Sequence, residues 1–169
     1  MHRSLQIGVI ALLLSVSAVQ AQEATSVISE EREAALGYIT TTNFLIGRVG
    51  RDCLGILGRK ESAQDFVRNW QTRNVSYVSA SAKYLEIRLN EVLANDGAER
   101  RDAVLREMQS TTRANVDGML QKWFHNDSRE KVCQRVVGLV ETGRFDVSPS
   151  TPVFKELQAL VIWAQGRNQ

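Results

Sequence analysis

Acid–base and nucleophilic chemistry draws on a few side-chain types, and this chain is poor in the two most useful of them. Histidine occurs only as His2 and His125, and cysteine only as Cys53 and Cys133. Zinc-type sites need His and Cys in clusters, and these four residues form none. Asn95-Asp96-Gly97 is too short for a calcium loop, which alternates acidic ligands around a central glycine. The absence of Cys-x-x-Cys-His excludes covalent haem. A haem held by His125 with Met108 or Met119 competes with the commoner use of methionine as a core filler. A serine nucleophile would depend on His125 as its base, and no Gly-x-Ser-x-Gly elbow accompanies it. His125 falls at the predicted end of a helix, where the carbonyl end of the dipole favours a protonated imidazole. No catalytic, metal or cofactor residue is therefore assigned.

Four other groupings carry meaning. Gly47, Gly50, Gly55 and Gly58 alternate with Arg48, Arg51 and Arg59. Glycines admit close approach and arginines grip anions, but phosphate-binding glycine loops follow a strand, so helix packing is the preferred reading. Trp70, Tyr77 and Tyr84 recur by sevens, as a bundle core would, or as an apolar groove or partner face would. Arg48, Arg51, Trp70, Tyr77 and Tyr84 are thus the candidate ligand or partner contacts. Asn74-Val75-Ser76 and Asn126-Asp127-Ser128 are glycosylation sequons, meaningful only in a eukaryotic secretory pathway. Lastly, Cys53 and Cys133 are expected to form one intramolecular disulfide, because an exported chain with two cysteines has a single internal pairing.

Export is read from the amino terminus. Arg3 is basic, Ile7 to Leu14 is an apolar run, and Val19-Gln20-Ala21 presents small residues to a signal peptidase. Residues 1–21 are expected to be a cleaved signal peptide and 22–169 one helical domain, periplasmic or extracellular. The apolar run is shorter than the roughly 20 residues a spanning helix needs, and no cysteine follows it to carry a lipid. Cleavage would leave twenty basic side chains against nineteen acidic, a net charge of about +1. With neither excess nor cluster of charge, no nucleic acid or polybasic membrane contact is expected.

The elements that must position these residues read as helices. The 169 residues are 43% hydrophobic, and proline is absent until Pro149, so most of the chain lacks the strongest helix breaker. Segment A, Ser29 to Leu57, has a serine cap followed by Glu30, Glu31 and Glu33, with a break or bend expected at its glycines. Segment B, Ser62 to Ala94, starts at an approximate capping box of Ser62 and Asp65 and stops at Asn95-Asp96-Gly97. Its stretch Val75 to Ser81 partly alternates like a strand, but the flanking helical spacing decides for helix. Segment C spans Ala98 to Phe124. Segment D opens at Asp127 with Glu130 as capping partner and ends at Gly143. Segment E follows a Thr151-Pro152 start. The expectation is an all-α, single-domain bundle of four to five helices, mostly antiparallel, with one disulfide.

Two functions fit. The first is an exported, non-catalytic module that binds a protein or small ligand, as inhibitors, immunity proteins and envelope adaptors do. The alternative is a small helical enzyme using arginine and carboxylate side chains on an anionic substrate. A closed polar pocket holding Arg51, Arg88 or Arg113 beside a buried carboxylate would favour the enzyme; a filled core with an exposed apolar patch would favour the module.

Overall fold

The computed structural model describes residues 28–167, so the expected signal peptide lies outside the described residues. The described chain is an all-α bundle of five helices without strands: α1 Glu30–Cys53, α2 Ala63–Arg73, α3 Val75–His125, α4 Arg129–Glu141 and α5 Phe154–Gly166. Among these residues no helix is long and apolar enough to cross a membrane.

Helix α3 is two arms. Gly97, at φ 83° and ψ 175°, lies outside the helical region and interrupts the ladder, a conformation that glycine adopts without steric cost. In a straight helix Arg88 and Met108 would be about 30 Å apart at 1.5 Å per residue; instead Arg88 Nη1 lies 3.1 Å from Met108 Sδ. The arms 75–96 and 98–125 therefore form an antiparallel hairpin, with the Asn95-Asp96-Gly97 stop at its tip.

Helix α1 is the central strut. Gly50 lies opposite Ala63, Asn43 bonds Gln71 on α2, and Glu33 reaches Tyr84 on the first arm of α3. Rising numbers thus meet falling ones, so α2 and the first arm run antiparallel to α1. The second arm runs parallel to it, with Arg48 bonded to Asp117. Helix α5 closes the first-arm side through Lys83 Nζ, which donates to the Ala164 carbonyl at 2.9 Å. Cys53 and Cys133 are bonded to each other with their α-carbons 5.1 Å apart, joining the end of α1 to α4. One apolar core takes in Leu36, Ile46, Val49, Trp70, Tyr84, Val116, Val136, Leu157 and Leu160.

Several local expectations are corrected. The break expected among the glycines of segment A falls after Cys53, in the stretch holding Gly55 and Gly58, and not at Gly47 or Gly50. The helix runs unbroken to Cys53, because α2 packs where those side chains are missing: a Cβ on Gly50 would sit 3.1 Å from Ala63 Cα. The chain turns only after Cys53, with Gly58 at φ 65°, rather than continuing helical to Leu57. Segment B is not one helix. It divides at Asn74 (φ −111°, ψ 24°) into α2 and α3. Asn74 keeps its backbone bonds to the Trp70 carbonyl and from the Val78 N–H, while its buried side chain donates from Nδ2 to the Trp70 carbonyl and to Asp146 and accepts from the Val147 backbone N–H, tying the bend to a distant loop. Segment D begins later than expected: Asp127 accepts from the Ser128 N–H instead of capping, and the helix starts at Arg129. Thr151 likewise closes a turn back to Ser148, leaving α5 to begin at Phe154. The Ser62 cap does form, its hydroxyl accepting from Asp65 N at 3.1 Å and donating to the Asp65 carboxylate.

Candidate functional site

The seam between α1 and the second arm of α3 holds two concavities in line. Residues four apart share one side of a helix, so Thr40, Phe44, Arg48 and Asp52 form one row along α1. The row faces Leu105, Met108, Gln109, Thr112, Arg113, Asp117 and Gln121, in the same order, because these helices run parallel. The upstream end is a groove of about 480 Å³ whose apolar lining is Phe44, Leu85, Leu105 and Met108. The downstream end is a polar depression of about 590 Å³ bordered by Arg48, Asp52, Asp117, His125 and Arg129.

The charged end is largely satisfied within itself. Arg48 donates from Nη1 to Asp117 Oδ1 at 2.5 Å and from Nη2 to Asp52 Oδ2 at 3.3 Å. Arg129 lies over the Phe124 ring at 5.0 Å, a favourable cation–π placement. His125 is exposed and its imidazole makes no hydrogen bond among the described residues, so neither a nucleophile–base nor a base–orienter pair is assembled. No group of three or more His, Cys, Asp or Glu among the described residues is placed to hold a metal.

The glycine–arginine series is dispersed rather than gathered. Arg48 faces α3, while Arg51 lies on the other side of α1 in an α1–α2 groove of about 600 Å³ with Gly47, Gln64, Val67 and Arg68. Arg59 pairs with Glu141. The three guanidinium groups do not converge on one point, and Gly50 serves the close contact with α2.

The aromatic series lies inward. Trp70 and Tyr84 are each 0% exposed, and Tyr77 is half-buried against the same core. Trp70 Nε1 donates to the Phe145 carbonyl at 3.0 Å. Tyr84 donates from its hydroxyl to Glu33 Oε1 at 2.6 Å and meets the Trp163 ring edge-on, 5.5 Å between centroids. Burial, reinforced by this bond to Glu33, pushes the Tyr84 phenol well above its ordinary range. Arg88 Nε stands 2.8 Å from Glu33 Oε1, close enough for an ion pair but not aligned as a hydrogen bond. Of the three arginines that could mark an enzyme, Arg88 is thus engaged in the interior, and Arg51 and Arg113 line grooves that contain no carboxylate.

The seam itself escaped sequence reading. Phe44, Leu105 and Met108 belong to the apolar stripes of segments A and C, and nothing within either segment separates them from core residues. Only the packing together of two helices distant in sequence leaves those side chains half-buried at a groove.

No protein-family model, curated protein or solved structure matches this chain.

Proposed function

We propose that this protein is an exported, non-catalytic helical module that holds a protein or small ligand in the seam between α1 and the second arm of α3. The observation that carries this reading is the groove at Phe44, Leu85, Leu105 and Met108. These four apolar residues are half-buried, Phe44, Leu85 and Met108 of them against the buried core, and ligand sites are mostly apolar clefts with a few placed polar groups. An enzyme of the arginine–carboxylate kind would have to work at Arg48, Asp52, Asp117 and His125. There the guanidinium already bridges two carboxylates, so an anionic substrate would first have to displace them. Export is supported by the three-zone amino terminus and by the paired cysteines, which persist in oxidising compartments.

The seam is tested with wild type and Leu105→Asp, both verified folded by circular dichroism, each immobilised and exposed to the extracytoplasmic fraction of the native host. A species retained by wild type and lost from the variant is expected; equal retention refutes the seam as the site. Export is tested by intact mass and amino-terminal sequencing. A chain starting at Gln22 is expected, and a soluble secreted protein retaining residues 1–21 would refute cleavage.

A further inference from the structure

We infer that the upstream groove of the seam takes an aliphatic carboxylate, its alkyl chain on Phe44, Leu85, Leu105 and Met108 and its head group on Arg113. This ligand class rests on the binding-module reading and narrows it.

Two features of the groove specify the ligand. The first is its apolar character, which is greater than its residue types suggest. Thr40 commits its hydroxyl to the Leu36 carbonyl at 2.8 Å, and the Asn43 carboxamide oxygen accepts from Gln71 at 2.9 Å. Those two oxygens already have partners, which leaves Gln109 and Thr112 as the neutral polar side chains of a lining otherwise formed, Arg113 apart, by Phe44, Leu85, Leu105 and Met108, so an aliphatic chain matches most of its surface. Met108 adds a polarisable thioether wall, its sulfur held by Arg88 Nη1 at 3.1 Å.

The second is an unbalanced charge. Arg113 lines the groove and is exposed, with no carboxylate among the lining residues. Its neighbour one helical turn on, Asp117, would ordinarily serve as an i, i+4 partner. Arg48 has taken that carboxylate at 2.5 Å from across the seam, and Arg113 makes no hydrogen bond or ion pair among the described residues. A guanidinium fork matches a carboxylate with two parallel hydrogen bonds. One free arginine at the edge of an alkyl-lined groove therefore selects a single anionic head over a cationic or neutral one. A groove of about 480 Å³ lies in the size range of small-molecule sites.

The test is calorimetric titration of the full chain, disulfide intact, with octanoate, decanoate and dodecanoate, and with decanol and decyltrimethylammonium as head-group controls. Affinity is expected to rise about two- to fourfold per methylene, the upper figure being full burial of each CH₂. Decanoate should bind about tenfold more tightly than decanol, as expected for a partly exposed charge-assisted contact. Arg113→Gln, an exposed substitution, should abolish that tenfold difference and leave decanol unchanged. Equal binding of decanoate, decanol and decyltrimethylammonium, or decanoate affinity unaffected by Arg113→Gln, overturns the head-group assignment. Absence of chain-length dependence overturns the alkyl assignment. If no probe binds while Leu105→Asp still loses a native species, the ligand class is wrong and the seam stands; if that difference is also missing, both fail.

Discussion

Cutting the Cys53–Cys133 bridge should destabilise the fold strongly while leaving its helices in place. The two cysteines are 80 positions apart, and the closed loop contains all of α2 and the α3 hairpin. For a loop of that length the chain-entropy model gives about 4.5 kcal/mol of stabilisation, through restriction of the unfolded chain. Both side chains are buried, at 1% and 0% exposure, so alanine replacement adds a packing loss of about 1 kcal/mol per site. The assay is urea unfolding and thermal melting of wild type, wild type in excess reductant, and C53A/C133A, followed by far-ultraviolet circular dichroism. Reduced wild type isolates the loop-closure contribution, because its sulfurs still fill the core. Its melting temperature should fall by about 9–18 °C, taking 2–4 °C per kcal/mol for a chain of this size. The dependence on urea should also steepen, since an uncrosslinked unfolded chain exposes more surface. The native helical signal should be unchanged, because none of the five helices depends on the bridge for its own hydrogen bonds. A loss under about 1 kcal/mol on reduction would refute the loop-closure reasoning.

Asn74→Ala should cost about 1–3 kcal/mol in urea unfolding, because it leaves the half-buried Val147 N–H without its acceptor and removes the carboxamide bond to Asp146, while the Trp70 carbonyl keeps the residue-74 backbone N–H. Asn126→Ala, at an exposed site, should stay within about 0.5 kcal/mol. Gly143→Ala should cost about 1–3 kcal/mol, since φ there is 74° and the new Cβ would fall 2.9 Å from Asp146 Oδ2. Gly55→Ala, with open space around it, should be close to neutral in the same thermal melts. Tyr84 has a raised folded phenol pKa. Its contribution is therefore fully present below the ordinary value of about 10 and lost as pH climbs from there toward the folded value. Wild type should lose stability above about pH 10 more steeply than Tyr84→Phe, as read by urea midpoints across pH; parallel curves would sink the assignment.

What the sequence determined by itself is what local spacing and single residues can encode. Apolar positions at steps of three and four specify helices, Ser29 and Ser62 mark starts, and Gly97 marks the hairpin tip, because each acts within a few residues along the chain. The disulfide was legible for a different reason: two cysteines leave no internal choice of partner. The tertiary structure alone decided the rest. Asn74 breaks a strongly helical segment only because Asp146 and Val147 arrive from a loop more than seventy residues away, and α1 remains whole at Gly50 only because Ala63 fills the space above it. The candidate site is of the same kind. Phe44 and Met108 look like core within their own helices, and Arg113 stands four positions before Asp117. Which apolar side chains stay half-open, and which arginine is left without a carboxylate, depends on how far apart two helices pack and on Arg48 reaching across 69 positions of sequence to claim Asp117.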